Sequence, residues 1–186
     1  MYRIFAVLAA FIAFLVFTSS SFGWYSYLRL SQAASIFSMK EVEVRCYDGE
    51  EDGSPSLYGA WGYVEPPLAP QTIIHIEDDL CSGALLINEP NVEKWRRSLG
   101  VLVIVHEAYH LRRWGGAGSE RKVECKAIRH WKVAARILGA TEETIDQLWP
   151  YALTQHYILA DIRSTSNPDN RIYFDPLCIV PPLDGK

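Results

Sequence analysis

Val101-Leu-Val-Ile-Val-His-Glu-Ala-Tyr-His110 is the stretch on which the reading of this chain turns. An apolar run leads into His106-Glu107-Ala108-Tyr109-His110, the pattern H-E-x-x-H. On a helix, residues four apart share a face, so both imidazoles can bind one Zn²⁺. Glu107 is rotated slightly round the helix. From there it can reach a water in the metal's open position and act as general base. The pattern points to metal-assisted hydrolysis, most often of peptide bonds. The plainer alternative is an amphipathic helix with two surface histidines, so the flanking residues matter.

Those residues supply acids at useful positions. Leu111–Ser119 contains Gly115, Gly116 and Gly118, which suit a chain reversal, and Ser119 is a good N-cap for a second helix. From Glu120 to Leu138 the periodicity is helical, with Val123, Ala127, Trp131, Ala134 and Leu138 on one stripe. Two helices joined by a short loop pack antiparallel. His110 and Glu120 then come level, and one turn further out so do His106 and Glu124. The economical assignment makes Glu120 the third ligand. Glu124 becomes its outer neighbour, accepting the free N–H of His106 as carboxylates beside metal-bound histidines do. The competing assignment has Glu124 bind while Glu120 faces solvent. The plainest has both on a solvated helix face with Arg121 and Lys122.

At this point the chain resembles a family. His106-Glu-Ala-Tyr-His110 followed by Glu120-Arg-Lys-Val-Glu124 looks like the gluzincin, or thermolysin-like, class of zinc metallopeptidases. Ser119–Ala127 is also similar to the site helix of small exported bacterial proteins of metallopeptidase type. The resemblance implies His106, His110 and Glu120 as ligands, Glu107 as base and Glu124 as the acid that orients the first histidine. The spacing from His110 to Glu120 is much shorter than in thermolysin itself, and Ser119 stands where Asn or Asp is usual. Specific motifs are confined to residues 101–127.

The amino-terminal run Met1–Phe17 is uncharged after Arg3, and residues up to Tyr25 extend it with small and interfacial side chains. The length suffices to cross a bilayer, and Trp24, Tyr25 and Tyr27 suit an interface. No clean cleavage site is present after it. We read residues 1–23 as a signal anchor, or alternatively a signal peptide, and 24–40 as a helical stalk or linker. The chain would then be a single-pass membrane protein with an extracytoplasmic domain, or a secreted one. The four cysteines form no C-x-x-C pair, and an even number in an exported chain favours disulfides. Of three possible pairings we expect Cys46–Cys81, closing the N-terminal strand region, and Cys125–Cys178, pinning the tail to the site helix.

Residues 41–186, about 145 in number, suffice for one domain with one core. A formal net charge of −4 provides no basic footprint, so nucleic acid is not an expected partner. Glu41–Cys46 alternates as a strand does, and Leu57–Val64 is aromatic and strand-like. The acidic loop Cys46–Pro55 matches no EF-hand spacing and reads as solvated. Thr72–Glu77 is a candidate edge strand for an extended substrate, with a plain packing strand as the alternative. Asn91 is the expected N-cap of one long helix ending at His110, in which Gly100 eases close packing. A further helix starts at the Thr141 cap, and Pro150 kinks or splits it. His75, His130, His156, Tyr109, Tyr157 and Tyr173 are all eligible to stabilise an oxyanion, and none is assigned.

The expected fold is α+β: a membrane helix, then a small zincin-like domain with a short antiparallel sheet and a helical metal-site hairpin. The expected function is zinc-dependent hydrolysis of a peptide or protein substrate. The alternative is a non-catalytic, zinc-stabilised binding or scaffold module, and the intact Glu107 argues against it.

Overall fold

The computed structural model describes residues 27–47, 61–64, 72–112, 120–166 and 178, with only the backbone of 158–166. In chain order the elements are helix α1 (27–38), strands β1 (Glu43–Tyr47), β2 (Gly62–Val64) and β3 (Ile73–Glu77), then helices α2 (Asp78–Leu85), α3 (Lys94–His110), α4 (Glu120–Ile137) and α5 (Glu142–Ser166). The protein is α+β and mostly helical. Among the described residues no helix is long and apolar enough to cross a membrane. The expected anchor 1–23, most of the acidic loop, the glycine turn at 115–118, Ser119 and the tail around Tyr173 lie outside the described residues.

The sheet has the order β1-β3-β2 and is mixed, which corrects the expectation of an antiparallel one. β2 and β3 pair antiparallel, with Tyr63 opposite His75, as neighbouring strands in sequence commonly do. β3 then inserts beside β1 in parallel, with Val44 opposite Ile74 and Cys46 opposite Ile76. Thr72–Glu77 therefore contains the central strand. Both of its ladders are filled, so it cannot accept a further strand. It is a packing strand, with Ile73, Ile74 and Ile76 buried.

The segment expected as a stalk belongs to the core instead. Leu30, Ala33, Ala34 and Phe37 of α1 are buried in the same apolar cluster as the sheet and the site helices. Ser31 and Ser35, one helical turn apart, accept the outward N–H groups of Val44 (2.9 Å) and Val42 (3.0 Å). An edge strand exposes such groups, and here two hydroxyls from α1 satisfy them.

Helix α3 is the spine of the domain. Twelve of its 17 residues are buried, so it has no solvent stripe to speak of. It starts at Lys94 rather than at Asn91, because residues 89–92 are spent in a turn in which Val92 N–H donates to Glu89 O (3.2 Å). α2, which the sequence pattern did not reveal, packs on it at backbone contact. A Cβ on Gly100 would lie 2.1 Å from Leu80 O, and one on Gly83 would lie 2.6 Å from Arg96 O. No side chain larger than hydrogen fits at either crossing. The disulfide Cys46–Cys81 (Cα–Cα 6.0 Å) ties α2 to the sheet.

α4 buries the expected stripe: Val123, Ala127, Trp131, Ala134 and Leu138 are all at most 2% exposed. Trp131 Nε1–H donates to Ser98 O of α3 (2.9 Å). Gly139, at φ +89°, ends the helix in the left-handed conformation that favours glycine. The Thr141 hydroxyl accepts the Thr144 N–H (3.1 Å) and caps α5. α5 runs unbroken through Pro150, so the proline does not split it. The second disulfide, Cys125–Cys178, pins the buried Cys178 to α4.

Candidate metal centre

The last turn of α3 and the first two turns of α4 bring four side chains together. His106 Nε2 and His110 Nε2 lie 3.0 Å apart. The Glu120 carboxylate faces both, with Oε2 3.3 Å from His106 Nε2 and Oε1 3.2 Å from His110 Nε2. Bonds of about 2.0–2.2 Å around a tetrahedral zinc place neighbouring donors roughly 3.3–3.6 Å apart. The observed triangle is close to one face of that tetrahedron. Among the described residues, His106, His110 and Glu120 form a group able to hold a metal ion.

Glu124 sits on the opposite side of His106. Its Oε2 is 2.7 Å from His106 Nδ1, which leaves Nε2 directed at His110 and Glu120. The acid level with His110 therefore faces the donor triangle, and the acid one turn on holds the outer nitrogen of His106. Exposure follows the same division. The side chains of His106, His110 and Glu120 are 12%, 22% and 23% exposed, against 6% for Glu124. The triangle can be reached from solvent, and its support cannot.

Charge in the metal-free site is strongly biased. Burial opposes a charge on His106, but hydrogen bonds to Glu120 and Glu124 outweigh it and raise the imidazole to about 10. Burial likewise pushes Glu120 up, and His106 and His110 more than reverse this, to about 2. Glu124 is pushed up by burial and held well below the usual carboxylate range by His106 and His156. Without a cation, a proton on His106 offsets one of the two carboxylate charges of Glu120 and Glu124.

Glu107 is buried and lies on the sheet side of α3. A Cβ on Gly62 would be 3.1 Å from Glu107 Cγ and 2.8 Å from Val103 Cγ1. Gly62 is thus the reason that α3 can bring Glu107 against β2. The carboxylate is also close enough to His106 to favour its charged form.

His156 is the participant that could not be singled out from the sequence. It is fully buried on α5, and its Nδ1 lies 3.0 Å from Glu124 Oε1. No motif marks it, because its alignment with Glu124 depends on how α5 docks. Tyr173 lies outside the described residues, and three of the other oxyanion candidates make contacts away from the donor triangle. His75 stacks on Tyr63 (centroids 4.5 Å, planes 4° apart), and Tyr109 OH lies 3.2 Å from His130 Nδ1. Tyr157 is exposed, its ring 5.8 Å from that of His156. No protein-family model, curated protein or solved structure matches this chain.

Proposed function

We propose that this chain is a zinc-dependent metallopeptidase of gluzincin type, acting outside the cytoplasm on a peptide or protein substrate. The observation that carries this reading is the donor triangle of His106, His110 and Glu120 with Glu107 one residue from its first member. A site built only for structure is usually closed by four protein ligands and has no need of a base. Two imidazoles and one carboxylate also fit zinc better than the all-oxygen cations calcium and magnesium. The two disulfides and the apolar run at 1–23 support an exported, membrane-anchored or secreted protein.

When bound, zinc supplies an acidified water and polarises a carbonyl. The protein's own residues do the rest. His106, His110 and Glu120 hold the ion. Glu124 keeps the proton of His106 on Nδ1, so that Nε2 offers a lone pair. Glu107 accepts the proton of the attacking water and returns it to the leaving amine. The side chain of Glu107 is buried, with its Cγ packed beside Gly62.

The test is chelator-sensitive hydrolysis of a peptide library by the purified chain, compared with Glu107→Gln. The variant should keep its zinc and lose ~10²–10⁴-fold in rate, the usual contribution of a general base. If no peptide is cleaved and Glu107→Gln matches the wild type in every assay, the zinc-stabilised scaffold replaces the peptidase.

A further inference from the structure

We propose that His156 is a positioning residue of the metal centre, acting through Glu124 on His106. This rests on the metal-binding reading above and adds a third helix to the site. The geometry is a linear relay. His156 Nδ1 lies 3.0 Å from Glu124 Oε1, and Glu124 Oε2 lies 2.7 Å from His106 Nδ1. An ionised carboxylate only accepts hydrogen bonds, so both Nδ1 atoms must carry the proton. A carboxylate held at a single oxygen can swing about its last torsion. Held at both, it presents Oε2 to His106 in one orientation and fixes both the ring and the tautomer of the first ligand.

The surroundings favour this role. His156 is fully buried and Glu124 is 4% exposed, so solvent does not readily replace either partner. α5 is also tied to the first turn of α3, where Gln155 Nε2–H donates to Trp95 O (3.0 Å). Through His156, α5 reaches the metal centre, although among its described residues none belongs to the donor triangle. The plainer account is a buried histidine that only secures α5 in the core. The two accounts differ in what they require of the side chain. Packing needs volume, whereas positioning needs an N–H at the place of Nδ1.

His156→Asn keeps a donor near that place, and His156→Leu keeps volume without one. The experiment measures zinc dissociation constants of both variants and the wild type by chelator competition, with circular dichroism as a check on folding. Outer-shell partners of metal-bound histidines typically contribute ~10–100-fold in affinity. His156→Leu should weaken zinc binding by about that factor, and His156→Asn should stay within about threefold of the wild type. Equal affinity in His156→Leu overturns the proposal. So does an equal loss in both folded variants, because a donor near the place of Nδ1 would then make no difference.

Should His156→Leu fail to fold, nitrogen-15 NMR of the wild type decides. His156 should be protonated at Nδ1, and a bare Nδ1 overturns the relay. Zinc uptake without hydrolysis would sink the peptidase reading and leave this inference standing. Hydrolysis with unchanged zinc affinity in His156→Leu would do the reverse.

Discussion

Replacing each acid of the site in turn should produce opposite signatures. Glu124 is 4% exposed and accepts from two buried donors, His106 Nδ1 and His156 Nδ1. Glu124→Ala strands both. A buried donor without a partner costs about 1–3 kcal/mol, so the metal-free variant should lose roughly 2–6 kcal/mol, less whatever an entering water restores. In a domain of this size 1 kcal/mol moves Tm by about 2–4 °C, so the chelator-treated variant should melt at least about 4 °C lower. Its zinc affinity should fall by only ~10–100-fold, because all three donors remain. Glu120 is 23% exposed, and water can reach the histidines it faces. Glu120→Ala should destabilise the metal-free fold by about 1 kcal/mol or less, yet weaken zinc by more than ~100-fold because a ligand is gone. Thermal melts in chelator and competition titrations measure the two quantities separately. If Glu120→Ala lowers Tm more than Glu124→Ala does, and Glu124→Ala is the variant that loses the metal, the assignment of inner and outer carboxylate is wrong.

Other perturbations test the supporting structure. In Gly62→Ala the new methyl meets Val103 and Glu107. Zinc affinity should be kept while hydrolysis falls by up to ~10²-fold, the usual penalty for displacing a catalytic group by about 1 Å; unchanged activity would mean that Glu107 does not depend on this contact. Gly100→Ala drives a methyl into Leu80 O, backbone against backbone. The overpacking cost of about 1–3 kcal/mol should exceed the roughly 1 kcal/mol gained in helix propensity, so a Tm at or above the wild type would refute the α2–α3 crossing. The pH dependence of the metal-free protein has a definite sign. His106 is raised from its ordinary 6.5 to about 10, so its contribution is fully present below 6.5 and lost as pH rises through about 10. Glu120 is lowered from 4.5 to about 2, so its contribution is present above 4.5 and lost as pH falls through about 2. Melts in chelator should therefore decline on the alkaline side of 6.5. Saturating zinc, which needs His106 deprotonated, should remove much of that decline, and a flat alkaline limb in chelator would contradict it.

Much of the site was legible because it is local. Four residues along a helix bring His106 and His110 to one face whatever the rest of the chain does. A short connection between two helices brings Glu120 level with His110 and Glu124 level with His106, and the observed distances agree with that order. The α4 stripe from Val123 to Leu138 and the Thr141 cap are of the same kind, set by periodicity and by hydrogen bonds within one turn. α2 escaped notice because its eight residues are too few to show a period, and its Gly83 reads as a breaker until Arg96 O is seen beside it.

What the sequence by itself determined, then, is the chemistry of the donors and the spacing along each helix, since both are fixed within a few covalent bonds. Only the tertiary structure decided which elements meet. It placed α1 in the core with Ser31 and Ser35 on the edge of β1, put β3 in the centre of a mixed sheet, and brought His156 to Glu124 across 32 residues. Such pairings come from many weak contacts summed over whole faces, so no single residue signals them in advance.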